Sequence, residues 1–303
     1  MEHISVLREE VLRALDPKPN EDFIDCTVNG GGHAKAILEK TAPSGRLLGI
    51  DWNQRVIENC KLKIDNFTER TVLICDNFAH LEKIAKKEGF GSVDGILFDL
   101  GISSWHLERS GKGFSFLRDE PLDMRYGAEY QISNLKTQNF LTAEKIINKW
   151  SEKEIEKNLR EYGQEKFSKT IARKIVQARE IKPIATTFQL VDIIKQAIPT
   201  RYQHQRIHFA TRTFQAIRIA VNDELNNLKT ALPQAVNILK TQGRLVVISF
   251  HSLEDGIVKN FLKDSVKNGF LKPLNAKPML ASKAELMANK RARSAKLRAA
   301  IKI

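Results

Sequence analysis

Apolar residues in the first hundred positions come in short runs at 23–26, 47–50, 71–75 and 93–98, and the stretches between them, 34–40, 55–66 and 78–87, read as helices. Strands alternating with helices predict a parallel, doubly wound sheet. A short amphipathic helix over 6–15, closed by Asp16-Pro17, precedes it. Ligands of such sheets sit beyond the carboxyl ends of the strands, and those ends carry Asp25, Asp51, Asp76-Asn77-Phe78 and Asp99. After Asp99 the rhythm changes. Residues 102–130 are rich in Gly, Ser and Arg, and polar helical segments follow around 143–150, 152–162, 166–180 and 187–198. Nothing in 110–205 resembles a buried parallel strand. That segment is expected to be a helical insertion, with 1–109 and 206–303 forming the sheet domain. Alternation resumes with one long helix on which Ala210, Phe214, Ile217, Val221, Leu225, Leu228 and Leu232 recur at three- and four-residue steps. A strand over 244–250 then ends in His251-Ser252-Leu253-Glu254-Asp255, again on the ligand side, and 297–303 is expected to supply an edge strand.

The first strand runs into Asn29-Gly30-Gly31-Gly32-His33, and the second ends at Asp51. Strand, glycine turn, helix and a second strand ending in an acid is how a βαβ unit holds an adenosine-containing cofactor. Glycines admit the ligand close to the backbone, and the acid accepts hydrogen bonds from the ribose hydroxyls. A dinucleotide fingerprint starting at Gly30 needs its third glycine where Lys35 stands. Asp25 repels a pyrophosphate and welcomes an ammonium group. S-adenosylmethionine carries that ammonium and no phosphate, so it suits the turn better than NAD. Taken alone, the turn fits a packing role in an unrelated α/β protein equally well.

Composition adds a partner. The chain of 303 residues is 42 % hydrophobic, enough for a real core, and its formal charge of +13 points to a polyanion, most often nucleic acid. A merely solubilising surface is the plainer alternative. The excess is uneven: from Lys283 onward Lys283, Lys290, Arg291, Arg293, Lys296, Arg298 and Lys302 face the single acid Glu285. Cys26, Cys60 and Cys75 lie far apart with no C-x-x-C spacing, and two of them fall in expected buried strands. No zinc or other metal site, no disulfide framework and a reducing cytoplasm are therefore expected. The opening ten residues lack an apolar signal region and no run approaches membrane-spanning length, so no membrane association is expected.

Several longer blocks sharpen this picture. Asp25 to His33, Asp94-Gly95-Ile96-Leu97-Phe98-Asp99-Leu100-Gly101-Ile102-Ser103-Ser104, Gly113-Phe114-Ser115-Phe116, Pro121-Leu122-Asp123-Met124-Arg125, Ala210 to Leu225, Ile248 to Asp255 and Arg291 to Arg298 occur in this order. Together they closely resemble the ribosomal RNA small subunit methyltransferase H family, also called MraW, essentially end to end. The resemblance implies a class I, Rossmann-like methyltransferase sheet domain with an inserted all-helical substrate-recognition domain. It implies transfer of the methyl group of S-adenosylmethionine to N4 of one cytidine in the decoding region of 16S rRNA, on the rRNA or the small ribosomal subunit. By motif position the cofactor contacts would be Gly31, Gly32, His33, Asp51, Phe78, Asp99 and His106. The chain departs from the family pattern at Asn29, where Gly is usual, Asn53, where a second acid is usual, His106 for Gln, Lys112 for Arg, Phe209 for Pro and Gly256 for Arg.

Methyl transfer to an exocyclic amine is an in-line displacement in which the enzyme positions and polarises a nitrogen whose lone pair is delocalised into the ring. Asp99 is the candidate acceptor of an N4 hydrogen, with a cofactor contact as its equal alternative. Methylation at cytosine C5 would need a cysteine nucleophile, typically preceded by proline, and no Pro-Cys pair exists. Ser103 and Ser104 are expected either to line the base pocket or to form a turn, and Phe78 either to flank the adenine or to sit in the core. His251 and Glu254 are candidates for RNA or catalytic contacts, with a helix cap by Ser252 as the alternative. Arg212 and Arg218, off the apolar stripe, join Lys290, Arg291, Arg293 and Lys296 as candidate RNA contacts, against solvated surface charge. Two rivals remain: a DNA amino methyltransferase, which usually shows (Asp or Ser)-Pro-Pro-Tyr where this chain has Asp99-Leu100-Gly101-Ile102, and a ribosome-assembly binder that has lost catalysis.

Overall fold

The computed structural model describes residues 5–127 and 141–303; positions 1–4 of the amino-terminal reading and 128–130 of the Gly, Ser and Arg-rich stretch lie outside them. In chain order the elements are α1 (Arg8–Leu15), β1 (Phe23–Asp25), α2 (Gly32–Lys40), β2 (Leu47–Asp51), α3 (Gln54–Lys63), β3 (Thr71–Cys75), α4 (Leu81–Lys87), β4 (Val93–Asp99) and α5 (Ser104–Glu108). Then come α6 (Ala143–Lys149), α7 (Glu152–Glu161), α8 (Ser168–Ile181), α9 (Thr187–Ala197), α10 (Thr211–Asn222) and α11 (Glu224–Ile238). The chain closes with β5 (Leu239–Ser249), α12 (Ser252–Lys267), β6 (Leu271–Pro273), α13 (Lys283–Ala288) and β7 (Lys296–Lys302). It forms two compact units, one of residues 1–103 and 225–303, the other of residues 104–224.

In the first unit the strands form one sheet in the order β3-β2-β1-β4-β5-β7-β6. The first five run parallel, whereas β7 is antiparallel to β5 and to β6. The parallel part is the doubly wound sheet that the alternation of strands and helices predicts. Central strands of a parallel sheet are buried on both faces, so they read as continuous apolar runs. Successive residues still point to opposite sides. Ile24, Leu48, Ile50, Ile96 and Phe98 meet one core with Leu81 and Ile84 of α4, Leu228, Leu232 and Ala235 of α11 and Val258 of α12. Phe23, Leu47, Leu97, Val246 and Ile248 meet the other with Val11 and Leu15 of α1, Ile37 and Leu38 of α2 and Ile57 of α3. Burial of about 25 cal/mol per Å² of apolar surface on both faces makes this sheet a rigid mount for the loops at its carboxyl edge.

The second unit is mainly helical, with Ile146, Ile155, Leu159, Ile171, Ile175, Leu190, Ile194, Phe214 and Ile217 buried. Asn222 is its polar anchor: the side-chain oxygen accepts from the Tyr126 N–H at 2.9 Å, and the amide donates to the Met124 carbonyl at 2.7 Å.

Four expectations change. The single long helix over the 210–232 stripe is two helices, because Asp223 takes a left-handed conformation (φ 49°) and its N–H returns to the Ile219 carbonyl, closing α10. Apolar spacing continues across that break, so periodicity alone could not show it. The carboxyl-terminal strand, expected as an edge, lies inside the sheet between β5 and β6. Cys75 is exposed at the end of β3, the outermost strand on its side, while Cys60 of α3 is buried, as is Cys26. The cap of α12 is His251 rather than Ser252, in a reciprocal capping box with Glu254. No helix among the described residues is long and apolar enough to cross a membrane.

Candidate cofactor and active site

Three adjacent strands, β2, β1 and β4, end in Asp51, Asp25 and Asp99. Sheet order reverses between β1 and β4, the place where a crevice opens in this architecture. Register puts Asp25 beside Gly49 and Leu97, and Asp51 beside Cys75.

The glycine turn joins these ends. Asn29 (φ 47°) and Gly31 (φ 73°) are both left-handed, and the Gly31 N–H closes the turn on the Val28 carbonyl at 2.8 Å. A β-carbon on Gly31 would stand 2.9 Å from the Cys60 sulfur, and one on Gly32 would collide with the Ser5 hydroxyl. The turn therefore lies flat against α3 and the amino-terminal segment. Asn29 also bonds both flanking acids. Its N–H donates to Asp51 Oδ2 at 3.2 Å, and its side-chain amide lies 3.3 Å from the Asp99 carbonyl and 3.4 Å from Asp99 Oδ2.

Burial raises all three carboxyls. Asp25 is pushed up to about 8 against the opposing hydrogen bond from the Thr27 N–H. Asp99 is pushed up to about 7 against the Asn29 amide, and Asp51 to about 6 against the N–H groups of Asn53, Asn29 and Trp52. Asp25 Oδ2 and Asp99 Oδ1 are buried with no hydrogen-bond partner among the described residues. A buried carboxylate oxygen without a donor is costly, and a bound cation or donor removes the cost. His33 Nε2 lies 3.7 Å from Asp99 Oδ2.

Profile comparison matches residues 1–303 to the MraW methylase family. The chain belongs to that family. Among relatives, it is 44% identical over 317 residues to ribosomal RNA small subunit methyltransferase H of Heliobacterium mobile, covering 99% of each chain. With the protein of the same name from Brevibacillus brevis it shares 43% over 316 residues, covering 99% of this chain and 98% of that one. Among solved structures, one provisionally assigned as an rRNA methylase, from Clostridium thermocellum, aligns over 100% of both chains with 12% identity and a TM-score of 0.48.

A methylase of this family takes its methyl group from S-adenosylmethionine. The donor set fits that cofactor: unpartnered buried carboxylate oxygens suit an ammonium and a sulfonium, and a pyrophosphate among three acids would be repelled. Gly31, Gly32, His33, Asp51 and Asp99 are brought together by the turn and the strand ends. Phe78 follows the end of β3 half-buried, its ring edge-on to Phe98 at 5.7 Å, so it packs on the core whatever else it touches. Ser103 is buried, and the side chain of Ser104 lies outside the described set.

The second unit holds His106, packed edge-on against Trp105, Phe114 and Tyr126 at 5.0 to 5.4 Å. Burial, then Lys112 and Arg218, pushes its pKa down to about 3, so the ring is neutral at physiological pH. Arg218 is bidentate to Glu224 at 2.7 and 2.8 Å, whereas Arg212 is exposed. In the methylase's carboxyl-terminal segment Lys290 and Arg293 are exposed and Arg291 is half-buried. Lys296 and Arg298 both hold Asp255 of α12, at 3.0 and 2.7 Å. His251 Nε2 lies 3.1 Å from Glu254 Oε1, within its capping box. Sequence reasoning missed Asn29 as a bonding residue and Ser5 and Cys60 as the backing of the turn. An Asn where glycine is usual was the signal for the first; no signal marked the other two, which are joined to the turn only by folding.

Proposed function

We propose that this methylase transfers the methyl group of S-adenosylmethionine to N4 of a cytidine in the decoding region of 16S rRNA, acting on the rRNA or on the small ribosomal subunit. The observation that carries the chemistry is Asp99 Oδ1, a buried acceptor with no partner among the described residues at the end of β4. When bound, S-adenosylmethionine supplies a methyl group on a sulfonium that leaves as a neutral thioether. Asp51 accepts from the ribose hydroxyls, Gly31 and Gly32 let the backbone approach, and Asp25 faces the ammonium. Asp99 accepts an N4 hydrogen, which concentrates charge on the attacking nitrogen and takes up its proton as the new N–C bond forms. A carboxyl near 7 is matched to that task at neutral pH.

Thiol chemistry supports nitrogen over carbon as the acceptor. Burial raises Cys26 well above the ordinary thiol range and Cys60 to about 12, and partial desolvation with the carboxylates of Asp51, Asp76 and Glu58 raises the solvent-reachable Cys75 to about 11, so none supplies a ready thiolate for attack on a pyrimidine ring. RNA phosphates are assigned to Arg212, Lys290 and Arg293, because Arg218 and Lys296 already hold carboxylates. Nucleoside mass spectrometry of 16S rRNA from cells with and without the protein tests the proposal. N4-methylated cytidine should disappear with the gene and return with the wild-type chain but not with Asp99→Asn. An unchanged modification profile would refute it.

A further inference from the structure

We propose that Asn29 is a positioning residue that occupies Asp99 Oδ2 and so leaves Oδ1 as the oxygen presented to the substrate amine; this rests on the role of Asp99 proposed above. Two features place Asn29 there. Its backbone is left-handed at φ 47°, a conformation that Gly, Asn and Asp enter readily and most residues do not. Glycine would satisfy that turn equally, but it would bring no side chain. Asparagine brings an amide whose nitrogen lies 3.3 Å from the Asp99 carbonyl and 3.4 Å from Asp99 Oδ2. His33 Nε2 stands 3.7 Å from the same oxygen.

The two oxygens of Asp99 are therefore unequal. Oδ2 faces Asn29 and His33, while Oδ1 is buried with no partner among the described residues. A carboxylate held on one oxygen cannot rotate freely, and its second oxygen keeps a fixed direction. The Asn29 N–H meanwhile donates to Asp51 Oδ2 at 3.2 Å. One residue thus ties the cofactor acid to the acid assigned to the base. Charge follows geometry: an amide donor favours the ionised carboxylate, and it opposes the burial that raises Asp99. Among the described residues, the titratable groups that face Asp99 are Asp25, Glu254 and His33.

Asn29→Gly keeps the left-handed turn and the backbone bond to Asp51 but removes the amide. The experiment follows the carboxyl carbon of Asp99 by NMR in protein labelled with carboxyl-13C aspartate, without cofactor, the resonance being assigned by its loss in Asp99→Asn. Its midpoint in Asn29→Gly should rise by about one pH unit, the low end for a lost bond to a charged group. Asn29→Asp, which also tolerates the turn, replaces the donor by an acceptor and should raise it further, so a poorly folding Gly variant does not end the test. The acid limb of single-turnover methyl transfer should move up with the midpoint. A midpoint unchanged in either folded variant overturns the proposal. A midpoint that rises while the acid limb stays put removes Asp99 as the acceptor and overturns the reading on which the proposal rests.

Discussion

Gly31 of the glycine turn packs against the Cys60 sulfur, and replacing it by alanine separates two causes of strain. The backbone there sits at φ 73°, which costs an alanine about 1–2 kcal/mol, partly offset by about 0.4–1 kcal/mol from a stiffer unfolded chain. The new methyl would also stand 2.9 Å from the Cys60 sulfur, an overpacking that costs about 1–3 kcal/mol. Gly31→Ala should therefore destabilise the protein by about 2–4 kcal/mol. Cys60→Ala removes the sulfur and leaves its β-carbon 3.6 Å from the added methyl, an ordinary contact. The double variant should then cost about 1–3 kcal/mol less than the sum of the single changes, because the steric part vanishes while the torsional part stays. Urea unfolding of the four proteins, followed by circular dichroism, measures the cycle. Costs that add to within about 0.5 kcal/mol would show that the sulfur does not set the need for glycine.

Asp51→Ala should weaken S-adenosylhomocysteine binding at least about tenfold, the effect of losing about 1.5–3 kcal/mol of hydrogen bonding to a charged group; calorimetric titration checks it, and unchanged affinity would remove Asp51 from the site. Asp25, Asp99 and Asp51 titrate near 8, 7 and 6 in the fold, above the ordinary range near 4, so the cofactor-free fold binds more protons than the unfolded chain between these limits. Stability of the free protein should accordingly fall as pH rises from about 4 to 8, seen as declining urea midpoints, while affinity for the cationic cofactor rises over the same range. Replacing Lys290 and Arg293 by Glu should flatten the log–log salt dependence of RNA binding by about 0.7–0.9 for each phosphate that is no longer neutralised, measured by fluorescence anisotropy. Deleting 290–303 is not a substitute for that test, because β7 lies inside the sheet and its loss would unfold the protein.

Alternating strands and helices, the glycine turn and the acids at the strand ends are local features, and the sequence alone determined them. Local patterning sufficed because a parallel strand buried on both faces needs an uninterrupted apolar run, and its end must turn polar where it meets solvent or ligand. The family, too, was legible, since its blocks lie in order along the chain. Tertiary structure alone decided which residues share a neighbourhood. It set Cys60 and Ser5 against the glycine turn, tied Asn29 to Asp51 and Asp99, and placed β7 inside the sheet. It also settled the basic side chains, pairing Arg218 with Glu224 and both Lys296 and Arg298 with Asp255. Each of these depends on the direction of a side chain across a distance in sequence that no period records. The same holds for the protonation of Asp25, Asp51 and Asp99: their identity is written in the chain, but the burial that raises them exists only once the sheet has closed around them.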